Sequence, residues 1–173
     1  MYQYTYDIFT HIQTKEGENM FQYVHTNIIA EDANKLIEFY KQVFHCKSIN
    51  ETRDLSGEWL DKLTRLNRAH ITGEHLLLPG YEEAHPTLEI FSYDEMKDKI
   101  PSEINRPGIA HIAFEVDDVE ETLAKVIEYG GSAVGELVKA DYPNNVQALF
   151  VYAKDPEGNI IELQSWSKKK INY

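Results

Sequence analysis

Hydrophobic residues along the chain alternate between the spacing of a strand and the spacing of a helix, and this order occurs twice. The first copy begins with a β-branched and aromatic run at residues 23–29, which predicts a strand. A helix start follows at residues 31–34, and the next apolar residues fall on one helical face: Leu36, Tyr40, Val43 and Phe44. The pattern therefore predicts a strand followed by an amphipathic helix.

The second copy repeats this order from residue 109. Residues 109–115 have the pattern of another apolar strand, and Asp118 with Glu121 has the spacing of a helix capping box. The helix is predicted to end at Gly130, because glycine adopts the positive φ of a helix C-terminus without strain. Its predicted buried stripe consists of Val119, Leu123, Val126 and Ile127.

A hairpin is predicted after each helix. In the second copy its strands lie at residues 147–153 and 159–163, joined by an Asp-Pro-Glu-Gly turn whose Pro and Gly favour turn conformations. In the first copy the corresponding strands lie at residues 69–78 and 87–93. Between the first helix and this hairpin, a further apolar stripe predicts a short helix over the site or the core, formed by Trp59, Leu63 and Leu66.

These patterns divide the chain into two similar halves. Residues 101–108 have the Pro and Gly content of a linker, so the boundary is predicted near residue 100. We expect an N-terminal extension at residues 1–20, a first module at 21–100 and a second module at 101–173. At 173 residues, the two modules together fit one domain.

Composition and charge restrict the possible partners. The chain has 29 acidic and 17 basic side chains, and its formal net charge of −12 repels nucleic acid and anionic membranes. One cysteine permits no intrachain disulfide. The first residues lack the pattern of a signal peptide, and no apolar run reaches the roughly 18 residues of a membrane-spanning helix. We therefore expect a soluble cytoplasmic protein that binds neither nucleic acid nor membranes.

Each copy places one His and one Glu at matching points. The His lies in the first strand, as His25 or His111, and the Glu lies in the last strand, as Glu89 or Glu162. A lone His in a strand is more often structural than a ligand, and a lone Glu usually faces solvent. A duplicated fold can instead bring all four side chains to one centre. Two imidazoles and two carboxylates suit a divalent ion such as Ni, Zn, Co, Fe or Mn.

The most specific motif lies in the second copy. The run His-Ile-Ala-Phe-Glu-Val-Asp at residues 111–117 is followed by Asp-Pro-Glu-Gly-Asn-Ile-Ile-Glu-Leu at 155–163. With the capped helix and its Gly-Gly end, this pattern resembles the vicinal oxygen chelate superfamily, which includes glyoxalase I, methylmalonyl-CoA epimerase, extradiol dioxygenases and bleomycin-binding resistance proteins. The resemblance covers residues 21–167. It implies an α+β fold of two tandem βαβββ modules, whose curved sheets form a metal-binding cleft, and it implies a homodimer.

The resemblance also implies an activity. In glyoxalase I the Glu on the last strand of the second module is the general base; this role corresponds to Glu162 here, and Glu89 could act from the other face. Glu89 favours the four-ligand lyases and isomerases over three-ligand enzymes, which need only His25, His111 and Glu162. The predicted function is a metal-dependent lyase or isomerase. It would transfer a proton next to the chelated carbonyl of a small thioester or hemithioacetal.

Two other functions are alternatives. A non-catalytic antibiotic-binding protein of the bleomycin-resistance type would use the same cleft without metal or turnover. Such proteins generally lack the full set of four ligands, which argues against this function. The other alternative is an extradiol-type dioxygenase, for which Glu89 would be surplus.

Several other side chains are secondary candidates. A CoA thioester or a glutathione adduct would need cationic contacts. Four arginines are candidates for these contacts, although they are equally well explained as ordinary surface residues: Arg53, Arg65, Arg68 and Arg106. Three His lie on or near the hairpin of the first module, where strand alternation could direct one of them inward: His70, His75 and His85.

Overall fold

The computed structural model describes residues 21–49, 52–82 and 86–169. The predicted N-terminal extension at residues 1–20 and the candidate His85 lie outside the described residues. The elements of the first half are β1 (His25–Ile29), α1 (Ala33–Phe44), β2 (Lys47–Ser48), β3 (Arg53–Ser56), α2 (Glu58–Thr64), β4 (His70–Leu77) and β5 (Thr87–Tyr93). Those of the second half are β6 (Ile112–Glu115), α3 (Val119–Glu128), β7 (Ser132–Ala133), β8 (Val138–Tyr142), β9 (Val146–Lys154) and β10 (Ile160–Lys168).

Both halves form the same curved five-stranded sheet. The first has the order β1-β5-β4-β2, with β3 also paired to β4, and the second has the order β6-β10-β9-β7, with β8 also paired to β9. In each sheet the first strand runs parallel to the last, and the other pairs are antiparallel. Because β2 and β3 pair with successive parts of β4, they take the place of one strand. The predicted α+β fold of two βαβββ modules is confirmed.

The predicted helices form with the predicted N-caps. The Asp32 carboxylate accepts a hydrogen bond from the Lys35 backbone N–H at 3.0 Å, and Asp118 accepts one from that of Glu121 at 2.9 Å. All four apolar residues of the first stripe are buried. In α3, however, Ile127 is 52% exposed, so its prediction as a buried residue was wrong.

Helix α2 forms where the third apolar stripe predicted it, but it buries a different face. Leu60 packs in a small core with residues of β4 and β5, whereas Trp59, Leu63 and Leu66 are exposed. The predicted apolar stripe of this helix therefore lies on its exposed face and not on its buried face. This helix lies between β3 and β4, and in the second module the corresponding strands β8 and β9 are joined by a short turn. The insertion of α2 accounts for the greater length of the first half.

The two modules share one hydrophobic core. The ring of Phe44, at the end of α1, stacks on Phe114 of β6 with ring centres 3.9 Å apart. The buried hydroxyl of Tyr40 in α1 donates a hydrogen bond to Asp155 in the second module, at 3.2 Å. Helix α1 of the first module therefore packs on a strand and a turn of the second.

The buried carboxylate of Asp155 organises the turn between β9 and β10. It accepts hydrogen bonds from the backbone N–H groups of Glu157 and Asn159, each at 2.9 Å, and from the Asn159 side chain at 2.8 Å. Burial raises the pKa of Asp155, although these hydrogen bonds oppose the shift. The predicted hairpin is confirmed, and its turn fixes the start of the strand that carries Glu162.

Strand alternation determines which residues face away from the shared core. In β5, the buried Leu88 and Ile90 flank Glu89, and in β10 the buried Ile161 and Leu163 flank Glu162. Because successive side chains of a strand point to opposite faces, both Glu side chains lie on the faces directed away from the core. Among the described residues, no helix has the length and apolar character needed to cross a membrane.

Candidate metal centre

The same strand register places a His beside a Glu in each module. Asn27 of β1 is opposite Glu89 of β5, and Ala113 of β6 is opposite Glu162 of β10. His25 and His111 each lie two residues before that opposite residue. Residues two apart in a strand share a face, so each His is on the face of its Glu. The match predicted between the two copies therefore extends to strand pairing.

The distances within the two pairs suit ligands of one metal ion. His25 Nε2 lies 3.3 Å from Glu89 Oε2, and His111 Nε2 lies 2.9 Å from Glu162 Oε2. Bonds of about 2.1 Å from a divalent ion place adjacent donor atoms about 3.0–3.4 Å apart, in octahedral or tetrahedral geometry. Each pair thus has the donor atoms and the spacing of two neighbouring metal ligands.

The carboxylate of Glu89 has polar partners at both oxygens. His75, opposite Glu89 in the β4–β5 hairpin, contacts Oε1, whereas His25 and the Asn27 amide at 3.3 Å contact Oε2. Burial raises the pKa of Glu89, but the hydrogen bond and charge of His75, followed by His25, outweigh burial and leave it below its ordinary value. Glu89 is therefore held in one position as a carboxylate.

His75 is the residue that sequence reasoning undervalued. It was one of three secondary candidates, and only the hairpin register distinguishes it, because that register pairs His75 directly with Glu89. The two imidazoles contact different oxygens of Glu89, and their ring centres are 6.2 Å apart.

The second pair has a different neighbour at the corresponding place. Tyr152 of β9 lies opposite Glu162, as His75 lies opposite Glu89, and its ring centre is 5.2 Å from that of His111. Within the described residues, Glu162 has His111 as its polar partner, through Oε2. The Nδ1 atom of His111 is buried without a hydrogen-bond partner. Glu162 is consequently less constrained than Glu89.

The four predicted ligands form two separate pairs in one chain. The structure brings each His to the Glu of its own module, on the sheet face directed away from the shared core. Within residues 21–49, 52–82 and 86–169, no group of three or more His, Cys, Asp or Glu side chains is arranged to hold a metal ion. One chain therefore presents two separate His–Glu pairs.

Two cavities border the second pair, one at His111 and one at Glu162. Asn27 and His111 line a cavity of about 230 Å³ between β1 and β6. Glu162 and Tyr152 line a second cavity, of about 350 Å³, which also includes Val138 and Phe150. Among the residues that the structure describes, no Lys or Arg lines either cavity.

The secondary candidates lie elsewhere. His70 bridges two carboxylates, Asp54 at 2.8 Å and Asp94 at 2.9 Å, and its hydrogen bonds to these groups raise its pKa above the ordinary value. Arg106 pairs with Glu103 at 3.0 Å. Arg53 lies in β3, and Arg65 and Arg68 follow α2, all in the first module. None of these three arginines lines the cavities at His111 and Glu162.

Comparison with known proteins identifies the family. The sequence of residues 22–163 matches the family model described as Glyoxalase/Bleomycin resistance protein/Dioxygenase superfamily. The chain belongs to this superfamily. No curated protein sequence matches the chain.

Solved structures of superfamily proteins share its fold at low sequence identity. A glyoxalase family protein from Bacillus cereus is 20% identical, with a TM-score of 0.73, over 88% of this chain and 99% of that one. Glyoxalase I from Leishmania major, described as trypanothione-dependent, is 20% identical, with a TM-score of 0.56, over 84% and 87%. A glyoxalase I mutant from Zea mays is 21% identical, with a TM-score of 0.57, over 83% and 44%. These likenesses concern the fold alone.

Proposed function

We propose that this superfamily member is a metal-dependent lyase or isomerase that moves a proton next to the carbonyl of a small thioester or hemithioacetal. The repeated His–Glu pair carries the proposal, because both modules have it with the same register and with donor spacings of 3.3 and 2.9 Å. If the two His had separate structural roles, we would not expect each of them to contact a Glu in the same strand register. The ligands are His25, Glu89, His111 and Glu162.

The two carboxylates have different roles. If His25, Glu89, His111 and Glu162 hold a divalent ion, it would supply stabilisation of negative charge on the substrate carbonyl oxygen and so would acidify the neighbouring C–H. Glu162 is the general base: Oε2 contacts His111, and Oε1 accepts the proton and returns it to the neighbouring carbon. Glu89 also appears among the predicted catalytic residues, but both of its oxygens have partners. We therefore propose that Glu89 acts mainly as a metal ligand and only secondarily as a catalytic residue.

We further propose that the site is completed in a homodimer, with the first module of one chain facing the second module of another. The two pairs lie on different sheets, and each faces away from the core that the modules share. Neither pair alone supplies the three or four protein ligands typical of a bound catalytic ion. A two-fold symmetric dimer brings complementary His–Glu pairs together twice.

Proton exchange in deuterated buffer tests the proposed reaction. With metal-loaded protein and the hemithioacetal of phenylglyoxal and 2-mercaptoethanol, we expect deuterium to enter the product at the former ketone carbon, which becomes the hydroxyl-bearing carbon of the thioester. The rate should exceed the buffer reaction by at least about 100-fold, the lower range of general-base catalysis. Proton NMR and mass spectrometry measure the incorporation, and an oxygen electrode run in parallel should record no uptake.

Two results would contradict this function. Oxygen consumption with a catechol, without exchange, would identify an extradiol-type dioxygenase. Binding of a small molecule with neither exchange nor oxygen uptake would instead identify a binding protein of the bleomycin-resistance type. The buffer reaction without protein and the reaction with chelator-treated protein are the controls.

A further inference from the structure

The cavity beside Glu162 has a wall that the proposed chemistry does not use. Tyr152 lies opposite Glu162 in the strand pairing, and Phe150 lies opposite Gln164. Phe150 and Tyr152 are two apart in β9, so both lie on the face of Glu162. Val138 of β8 is opposite Phe150 and continues this face. An aromatic and aliphatic surface therefore begins directly at the proposed base.

Further rings extend the wall away from the pair. Trp166 packs edge-on against Phe150, with ring centres 5.5 Å apart, and lies 5.0 Å from the ring of Tyr142. Trp166 and Tyr142 are each 43% exposed, although large aromatic side chains usually bury most of their surface. The matching face of the first module is covered, because Leu60 of α2 packs there against Phe91. The second module leaves its own face open.

The charge of this cavity restricts its ligand. Within the described part of the chain, the lining contains the carboxylates of Glu136 and Glu162 and no Lys or Arg. The whole chain carries a net charge of −12. A polyanionic carrier such as a CoA thioester would be repelled here. An uncharged ring would instead bury its apolar surface against the wall, which is favourable. A volume of about 350 Å³ is within the usual range for small-molecule sites.

We propose that this cavity is the specificity pocket for a substrate with a neutral aromatic group next to its two chelating oxygens. The inference rests on the proposed function, since it takes Glu162 as the reacting end of the pocket. Phe150, Tyr152 and Val138 contact the aromatic ring of the substrate, and Trp166 packs edge-on against Phe150. The pocket selects uncharged aromatic substrates over those attached to anionic thiols.

Two compounds with the same chelating oxygens test the pocket. 2-Hydroxyacetophenone carries a phenyl ring, and hydroxyacetone has a methyl group in its place. The chain has two Trp, so the Trp59→Phe variant leaves Trp166 as the sole reporter of binding by fluorescence. In metal-loaded Trp59→Phe protein, we expect 2-hydroxyacetophenone to bind about 30- to 70-fold tighter than hydroxyacetone, the gain from burying about 100 Å² of ring. Glutathione should leave the emission unchanged.

A matched pair of substitutions locates the preference. Val138→Asp puts a charge in the pocket and should reduce the preference for the phenyl compound to less than about 3-fold. Val24→Asp changes a Val of similar exposure outside the pocket, 58% against 55% for Val138, and should leave the preference unchanged. Phe150→Leu, which keeps an apolar side chain, should lower it partially. Circular dichroism of each variant verifies folding.

The outcomes separate this inference from the proposed function. Equal affinity for the two compounds in protein that binds metal would overturn the pocket and leave the proposed function intact. Preference for the phenyl compound in protein that binds no metal would keep the pocket and remove the proposed function. If Val138→Asp shifts the monomer–dimer equilibrium but not the preference, the face is a contact between chains, which overturns the pocket. Displacement of the phenyl compound by glutathione would also overturn it.

Discussion

Glu162→Gln is expected to lower the rate of proton exchange by about 10²–10⁴-fold, the usual contribution of a general base. Glutamine keeps the shape of the side chain and its amide oxygen, but it cannot take up the proton at Oε1. The rate is measured at saturating metal, so that weaker metal binding by the variant does not contribute to the difference. This is the largest effect that we expect from a single substitution on the rate at saturating metal.

Glu89→Gln is the matched comparison, because Glu89 occupies the same register position in the other module. Its oxygens are held by His25, His75 and Asn27, so we expect less than about 10-fold loss of rate once metal is saturating. Equal losses in the two variants would contradict the assignment of Glu162 as the main base. A larger loss in Glu89→Gln would transfer that role to Glu89.

Coexpression of His25→Ala and His111→Ala chains is expected to restore activity that neither variant has alone. If each site combines the first module of one chain with the second module of another, a mixed dimer contains one intact site and one site with both lesions. Random association makes half of the dimers mixed, which gives about a quarter of the wild-type sites. Different affinity tags on the two chains allow the mixed dimer to be purified, and metal content and exchange rate are then measured.

The same experiment distinguishes assembly within one chain. If each site were formed by one chain, every site in the mixture would carry one lesion, and the purified mixed dimer would be as inactive as its parents. A second mixture, of His111→Ala with Glu162→Gln, is the control, because both substitutions are expected to inactivate the site that carries them. Both lesions then lie in the second module, so no intact site forms in either arrangement.

The matching positions of one His and one Glu in each module were accessible from the sequence because the two copies could be aligned with each other. A strand period of two and a repeated order of elements bring His25 to Glu89 and His111 to Glu162. Alternation places His70 and His75 on opposite faces of β4, but it does not show which of them shares the face of Glu89. The place of His75 depends on which residue of β5 it pairs with, and the residues that join β4 to β5 do not determine that register.

The separation of the two pairs depends on packing between distant parts of the chain. Phe44 stacks on Phe114, and Tyr40 donates to Asp155, so that the faces carrying the Glu side chains point away from a common core. An apolar stripe indicates that a helix face is buried, but not against which module. The same limit explains α2, where Leu60 rather than Trp59 became the buried contact.

Metal stoichiometry tests the central claim most directly. Chelator-treated protein is dialysed separately against Ni, Zn, Co and Mn, and bound metal is measured by elemental analysis. We predict about one ion per chain with the preferred metal, and more than about 100-fold weaker binding in His111→Ala, since even indirect ligand contacts contribute 10- to 100-fold. His70→Ala, which removes a His bound to two other carboxylates, should bind like the wild type. Less than about 0.1 ion per chain after supplementation, or unchanged affinity in His111→Ala, would contradict the account.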